Sequence, residues 1–102
     1  MFNLQLHLQA ETERRLKQVF QWIPDEEIFA QNFIAYQIAE LNKAILNLRL
    51  DLRPFETRYQ RLTQDFYQQF QQGLLEDSED FIVWAGLYEM LEKNEKYLRE
   101  LQ

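Results

Sequence analysis

The rhythm of polar and apolar positions changes along the chain, and each change predicts a new element. From Phe2 to Leu8 the two kinds alternate, with Leu4, Leu6 and Leu8 on one side and Asn3, Gln5 and His7 on the other. A period of two predicts a half-buried strand, though the same residues also read as the frayed start of a helix. No other run in the chain alternates this way, and a lone strand cannot satisfy its own backbone groups. A strand here therefore calls for a second copy from a symmetry mate. From Gln9 to Trp22 the spacing turns helical, with Thr12, Leu16, Val19 and Phe20 on one side and Glu13, Arg14 and Lys17 on the other. Pro24 stops that helix, and Asp25, Glu26 and Glu27 suit the start of the next.

The clearest periodicity follows. Ile34, Ile38, Leu41, Ile45, Leu48, Leu52, Phe55, Tyr59 and Leu62 are spaced alternately 4 and 3 residues apart. That is the heptad of a coiled-coil or bundle seam, and Ile34 to Leu52 are its candidate dimer or core residues. Leu46 and Leu50 lie off the seam, so this helix is apolar on a second side that also needs cover. Pro54 removes a backbone donor and crowds the preceding turn, which predicts a kink or a break near Arg53. Thr63 opens a short helix carrying Phe66, Tyr67 and Phe70, ended by Gly73. The acidic link 76–80 leads into a last helix, from Glu79 to Leu101, with Phe81, Trp84, Tyr88, Leu91 and Leu98 on one face. The expected fold is mainly α: one short N-terminal strand, a helix, a long heptad-bearing helix kinked or broken near Pro54, and two further C-terminal helices. Two regions are expected, a dimerisation unit over residues 1–50 and an acidic partner-binding segment over residues 51–102.

Composition supports an ordered chain. With 46% apolar and 15% aromatic residues it is too hydrophobic to stay unfolded, and two glycines and two prolines leave room for long elements. The absence of cysteine excludes disulfides and thiolate metal sites and suits a reducing, cytoplasmic setting. No basic-plus-apolar leader and no apolar run of about 18 residues is present, so neither export nor membrane spanning is expected. The net charge of −6 is carried unevenly. Residues 1–24 hold three basic and two acidic groups, residues 25–63 five and six, and residues 64–102 three and nine. Only the N-terminal end has a charge balance compatible with a nucleic acid.

Catalytic chemistry has little to work with. The single histidine, His7, has no second imidazole or thiolate to share a metal with, and two isolated glycines make no phosphate loop. Neighbouring carboxylates such as Glu26 and Glu27, or Glu79 and Asp80, diverge on a helix and read as solvated charge. The 76–80 cluster lacks the spacing and the glycine of a calcium loop. The expectation is a binding protein, with no enzyme activity, cofactor or metal.

Two stretches resemble known families. The run from Leu4 to Phe20, an alternating strand leading into a Glu/Thr-led amphipathic helix, resembles the start of the ribbon–helix–helix family. That resemblance implies a two-chain antiparallel ribbon in the major groove of DNA, with Asn3, Gln5 and His7 facing the base edges. The turn departs from the family, reading Trp22-Ile23-Pro24-Asp25, and the acids that follow would repel a phosphate at that helix start. The run from Phe66 to Leu91 resembles a segment of small prokaryotic, notably cyanobacterial, proteins of antitoxin type. It is carried by Phe66, Tyr67, Phe70, Gly73, Asp77, Asp80, Phe81, Trp84, Tyr88, Glu89 and Met90.

Together the resemblances imply an antitoxin-like dimer or higher homo-oligomer that neutralises a cognate toxin by occlusion and binds its own operator DNA. Phe66, Tyr67, Phe70, Phe81, Trp84 and Tyr88 would be the partner-binding set, or else ordinary core. The alternative is a helical homo-oligomeric scaffold or assembly factor without DNA binding.

Overall fold

The computed structural model describes residues 2–102, and its described residues form helices and no strand. In order these are α1 (Ala10–Trp22), α2 (Glu26–Tyr59), α3 (Thr63–Gln71) and α4 (Glu79–Leu101). The expected N-terminal strand is not there: Asn3, Gln5 and His7 lie in an exposed segment outside any regular element. A strand is held by a ladder, and nothing among the described residues offers Phe2–Leu8 a second one. The ribbon–helix–helix start is thereby corrected to a helical one, and the ribbon that would have presented those three side chains to base edges goes with it.

The chain forms two compact units, one ending at Ala35 and the other spanning Tyr36–Gln102. The N-terminal unit is a helical hairpin. α1 ends at Ile23, whose N–H still reaches the Val19 carbonyl at 2.9 Å. Asp25 then caps α2, its Oδ1 accepting from the N–H groups of Glu27 and Ile28 at 2.9 and 3.2 Å. Phe20 and Phe29 meet across the turn with ring centroids 4.4 Å apart.

The Tyr36–Gln102 unit owns the core. Ile45, Leu48 and Leu52 of α2, Phe66 of α3, and Trp84, Ala85 and Leu91 of α4 are buried together. The heptad spacing from Ile45 to Tyr59 thus lies against α3 and α4 of the same chain, with Phe55 and Tyr59 at its edge. Ile38 and Leu41 are half-buried, while Ile34 and Leu62 are exposed.

α2 is unbroken through Pro54, so of the two outcomes expected there, a kink or a break, the break does not occur. Proline there deprives the Leu50 carbonyl of its usual donor. Leu50 and Pro54 are both exposed, so water can take that place, and the buried seam on the other side holds the helix through the gap.

α2 and α3 both end in left-handed residues. Gln60 has φ 51°, its amide side chain donating to the Thr57 carbonyl at 2.8 Å, and Arg61 N–H returns to the Glu56 carbonyl at 3.2 Å. Gly73 has φ 70°, and Leu74 N–H returns to the Gln69 carbonyl at 3.1 Å. Both follow the pattern in which a residue past the helix end turns left-handed so that the next N–H satisfies an orphan carbonyl. α4 opens on Ser78, whose Oγ accepts from Phe81 N–H at 3.1 Å.

No helix among the described residues is long and apolar enough to cross a membrane.

Candidate interaction surfaces

Trp84 organises the C-terminal unit. It is fully buried, stacked on Phe66 with centroids 3.8 Å apart and planes 4° off parallel. Phe55 and Tyr59 of α2 stack beside it at 5.7 Å each, and Phe81 of α4 lies at 6.4 Å. Burial of an indole requires a partner for its N–H, and Thr63 Oγ1 accepts from it at 3.0 Å. Thr63 in turn donates from both its hydroxyl and its backbone N–H to Glu56 Oε2, at 2.9 and 3.0 Å. A carboxylate at the end of α2 therefore caps the start of α3 and, through Thr63, fixes the indole of α4.

This geometry assigns the aromatics. Phe66 and Trp84 are sealed inside the chain, and Tyr67, Phe70, Phe81 and Tyr88 are partly buried against the same core. None of the six forms a free-standing apolar patch.

The acids of the link are partly used inside the chain as well. Asp80 Oδ2 accepts from the Tyr59 hydroxyl at 2.6 Å and pairs with Arg58 Nη1 at 3.0 Å. Glu89 accepts from the Tyr67 hydroxyl at 2.9 Å, and Glu95 pairs with Arg49 at 2.8 Å, tying α4 to α3 and to α2. No group of three or more metal-ligating side chains converges among the described residues.

These ties make three phenols reluctant to ionise. The hydrogen bond to Asp80, with desolvation behind it, raises the Tyr59 pKa above the ordinary phenol value. Desolvation and then the bond to Glu89 raise Tyr67, and desolvation with the nearby Glu92 charge raises Tyr88. The folded form thus keeps protons that an unfolded phenol releases near pH 10. The stability this contributes is whole below about pH 10 and is lost as pH climbs through the raised values of the folded state. An absorbance titration should show Tyr59, Tyr67 and Tyr88 ionising later in the folded chain than in denaturant, and the urea midpoint should fall above about pH 10. Ionisation of these three near the unfolded value in the folded chain would contradict these contacts.

The exposed apolar residues lie elsewhere. On α4, Ile82, Val83 and Met90 are 57%, 47% and 55% exposed; helical geometry sets Ile82 opposite Trp84 and Leu91, with Val83 and Met90 together on the adjoining flank. They lie in the third of the sequence with nine acids to three bases. On α2, Leu46 and Leu50 are exposed on the side away from Leu48 and Leu52, as their off-seam positions suggest. No described residue of the N-terminal unit is buried: Leu16, Val19, Phe20, Ile23 and Phe29 are half-covered, and Trp22, Ile28 and Phe33 are exposed.

In the sequence Met90 stood out only as part of the antitoxin-type segment, and Ile82 and Val83 not at all, because the stronger pattern of Phe81, Trp84 and Tyr88 drew α4 as one-sided. The signal was present in the four-residue steps from Ile82 to Gly86 to Met90. A groove of roughly 390 Å³ runs beside Leu52, Thr63, Tyr88 and Leu91, with Arg53 and the Arg49–Glu95 pair at its rim. Its mixed charges offer no single-sign site for a ligand.

The chain matches no protein-family model, no curated protein and no solved structure.

Proposed function

We propose that this chain is an antitoxin-type binding protein of the cytoplasm, which neutralises a basic partner protein by covering its surface with α4. The observation that carries this reading is the outward stripe of Ile82, Val83 and Met90 within the acidic third of the chain. A helix that already buries one face in its own core and still shows apolar side chains on the other needs a second cover. Carboxylates around such a stripe would steer a basic partner, and the apolar side chains would supply the desolvated contact. The aromatic core serves this function indirectly, by keeping α4 pre-formed so that little ordering entropy is lost on capture.

The proposal predicts a neighbouring short reading frame that encodes a basic protein, and the test is co-expression with it. If that frame arrests growth alone, the wild-type chain should restore it. The pair Ile82→Asp and Met90→Asp should abolish the rescue while leaving helicity and folding stability unchanged, since both side chains are already exposed. A harmless neighbour, or full rescue by the double variant, would refute the proposal.

A second reading, a helical homo-oligomeric scaffold or assembly factor, is favoured by Leu46 and Leu50 on the open side of α2. It predicts large assemblies that Leu46→Asp dissolves.

A further inference from the structure

We infer that the outer face of α2 docks on the outer face of α4 of a second copy, so that the chain associates head to tail. The inference rests on the second of the readings above, self-association through the open side of α2, and supplies the surface that this side meets. A captured partner would compete with it for α4.

The two faces carry one spacing with opposite charge. On α2, Lys43, Leu46, Leu50 and Arg53 follow one another at steps of 3, 4 and 3 residues; on α4, Glu79, Ile82, Gly86 and Glu89 do the same. Each set falls within an arc of about 80° on its helix, turned away from that helix's buried residues, and all but Gly86 are exposed. Such steps are those of a seam between two helices. Laid together in either direction with the apolar positions level, each cation of α2 stands over an acid of α4. The next seam position of α4, Lys93, then meets Thr57 or Ala39 and no second cation.

The charges are available for this contact. Lys43 and Arg53 pair with no acid, and Glu79 with no cation, among the described residues. Glu89 accepts from the Tyr67 hydroxyl through one oxygen and keeps the other. Asp51, the one acid between Lys43 and Arg53, lies about 120° around α2 from the middle of the face.

Shape agrees with charge. A methyl group added to Gly86 would meet nothing within 4 Å, so α4 carries an open notch between Ile82 and Met90. Glycine inside a helix is less stable than alanine, and nothing in the packing of α4 on its own core calls for it. A leucine from the facing helix fills such a notch, as ridges of one helix enter the grooves of another. Each copy bears one face of each kind, so a contact between unlike faces leaves one of each free at the ends and copies add in a row. The apolar part is small, which makes the contact weak and dependent on concentration.

Sedimentation equilibrium of the full chain tests this. The average mass of the wild type should climb steadily with concentration, with a Kd of about 100 µM per contact and no plateau at two copies. Lys43→Glu with Arg53→Glu should raise that Kd at least about tenfold, and so should Glu79→Lys with Glu89→Lys, both remaining helical by far-UV circular dichroism. An equimolar mixture of the two double variants should assemble again, because each now offers the charge that the other lacks. Leu46→Asp mixed with Ile82→Asp should stop at one-to-one pairs, each having a single working face. A wild-type chain that is monomeric at about 1 mM would overturn both this inference and the self-association reading beneath it. Assembly abolished by Leu46→Asp but untouched by Ile82→Asp, or charge variants that fail to rescue each other, would leave that reading standing and overturn the pairing of α2 with α4.

Discussion

Replacing Trp84 by alanine is expected to cost the Tyr36–Gln102 unit about 3–5 kcal/mol, the range seen when a large aromatic is removed from a core. The indole is fully buried, stacks on Phe66 at 3.8 Å, and touches rings from α2 and α4 as well. Its loss opens a cavity where three helices meet, and the surrounding rings are too constrained by one another to close it. Domains of this size have total stabilities of about 5–15 kcal/mol, so the variant should be largely unfolded at moderate urea concentrations. Trp84→Phe should cost less, since most of the ring contact survives. What it loses is the bond from the indole N–H to Thr63, worth about 1 kcal/mol together with some lost contact area. Urea melts followed by far-UV circular dichroism check both. A Trp84→Ala chain within about 1 kcal/mol of wild type would mean that the aromatic cluster does not hold this unit together.

Leu48→Asp should be at least as severe. Leu48 is 7% exposed among Ile45, Leu52, Phe66 and Leu91, so aspartate would bring a carboxylate into a space with no cation, and cost about 3–5 kcal/mol or more. Leu46→Asp, two positions earlier on the open side of α2, should change monomer stability by no more than about 0.5 kcal/mol. The contrast separates an intrachain seam from an intermolecular one. A seam serving only a dimer would let the Leu48 variant dissociate and remain folded; an intrachain seam unfolds it at any concentration. Equal effects at the two positions would contradict the burial pattern.

The helical parts of the fold were legible because their apolar spacing is long and redundant. Ile45, Leu48, Leu52, Phe55 and Tyr59 repeat a heptad often enough that one proline could not erase it. The same proline left a kink and a break both open: its local cost was visible in sequence, but not that Leu50 and Pro54 would face solvent, where water can take the orphan carbonyl. The N-terminal segment failed for a different reason. Leu4, Leu6 and Leu8 alternate, but alternation states only what a strand would bury and cannot supply the ladder that makes one.

The candidate surfaces were legible only in part. Phe66, Trp84 and Tyr88 have helical spacing whether they face a core or a partner, so periodicity alone could not choose between the two. The link from Glu56 through Thr63 to Trp84 joins residues 7 and 21 positions apart, across three helices, and leaves no periodic trace. Leu46 and Leu50 could be read as a second apolar side of α2, whereas Ile82 and Met90 were hidden beneath the stronger aromatic face of α4.

The central claim is a division within the chain: the Tyr36–Gln102 unit is folded on its own core, whereas no described residue up to Ala35 is buried. Hydrogen exchange of the wild-type chain tests it most directly. Amides around Leu48, Leu52, Phe66 and Trp84 should exchange only when the whole unit unfolds, while those of α1 and of α2 up to Ala35 should exchange much faster. Equal protection in the two units, or fast exchange around Trp84, would contradict the account.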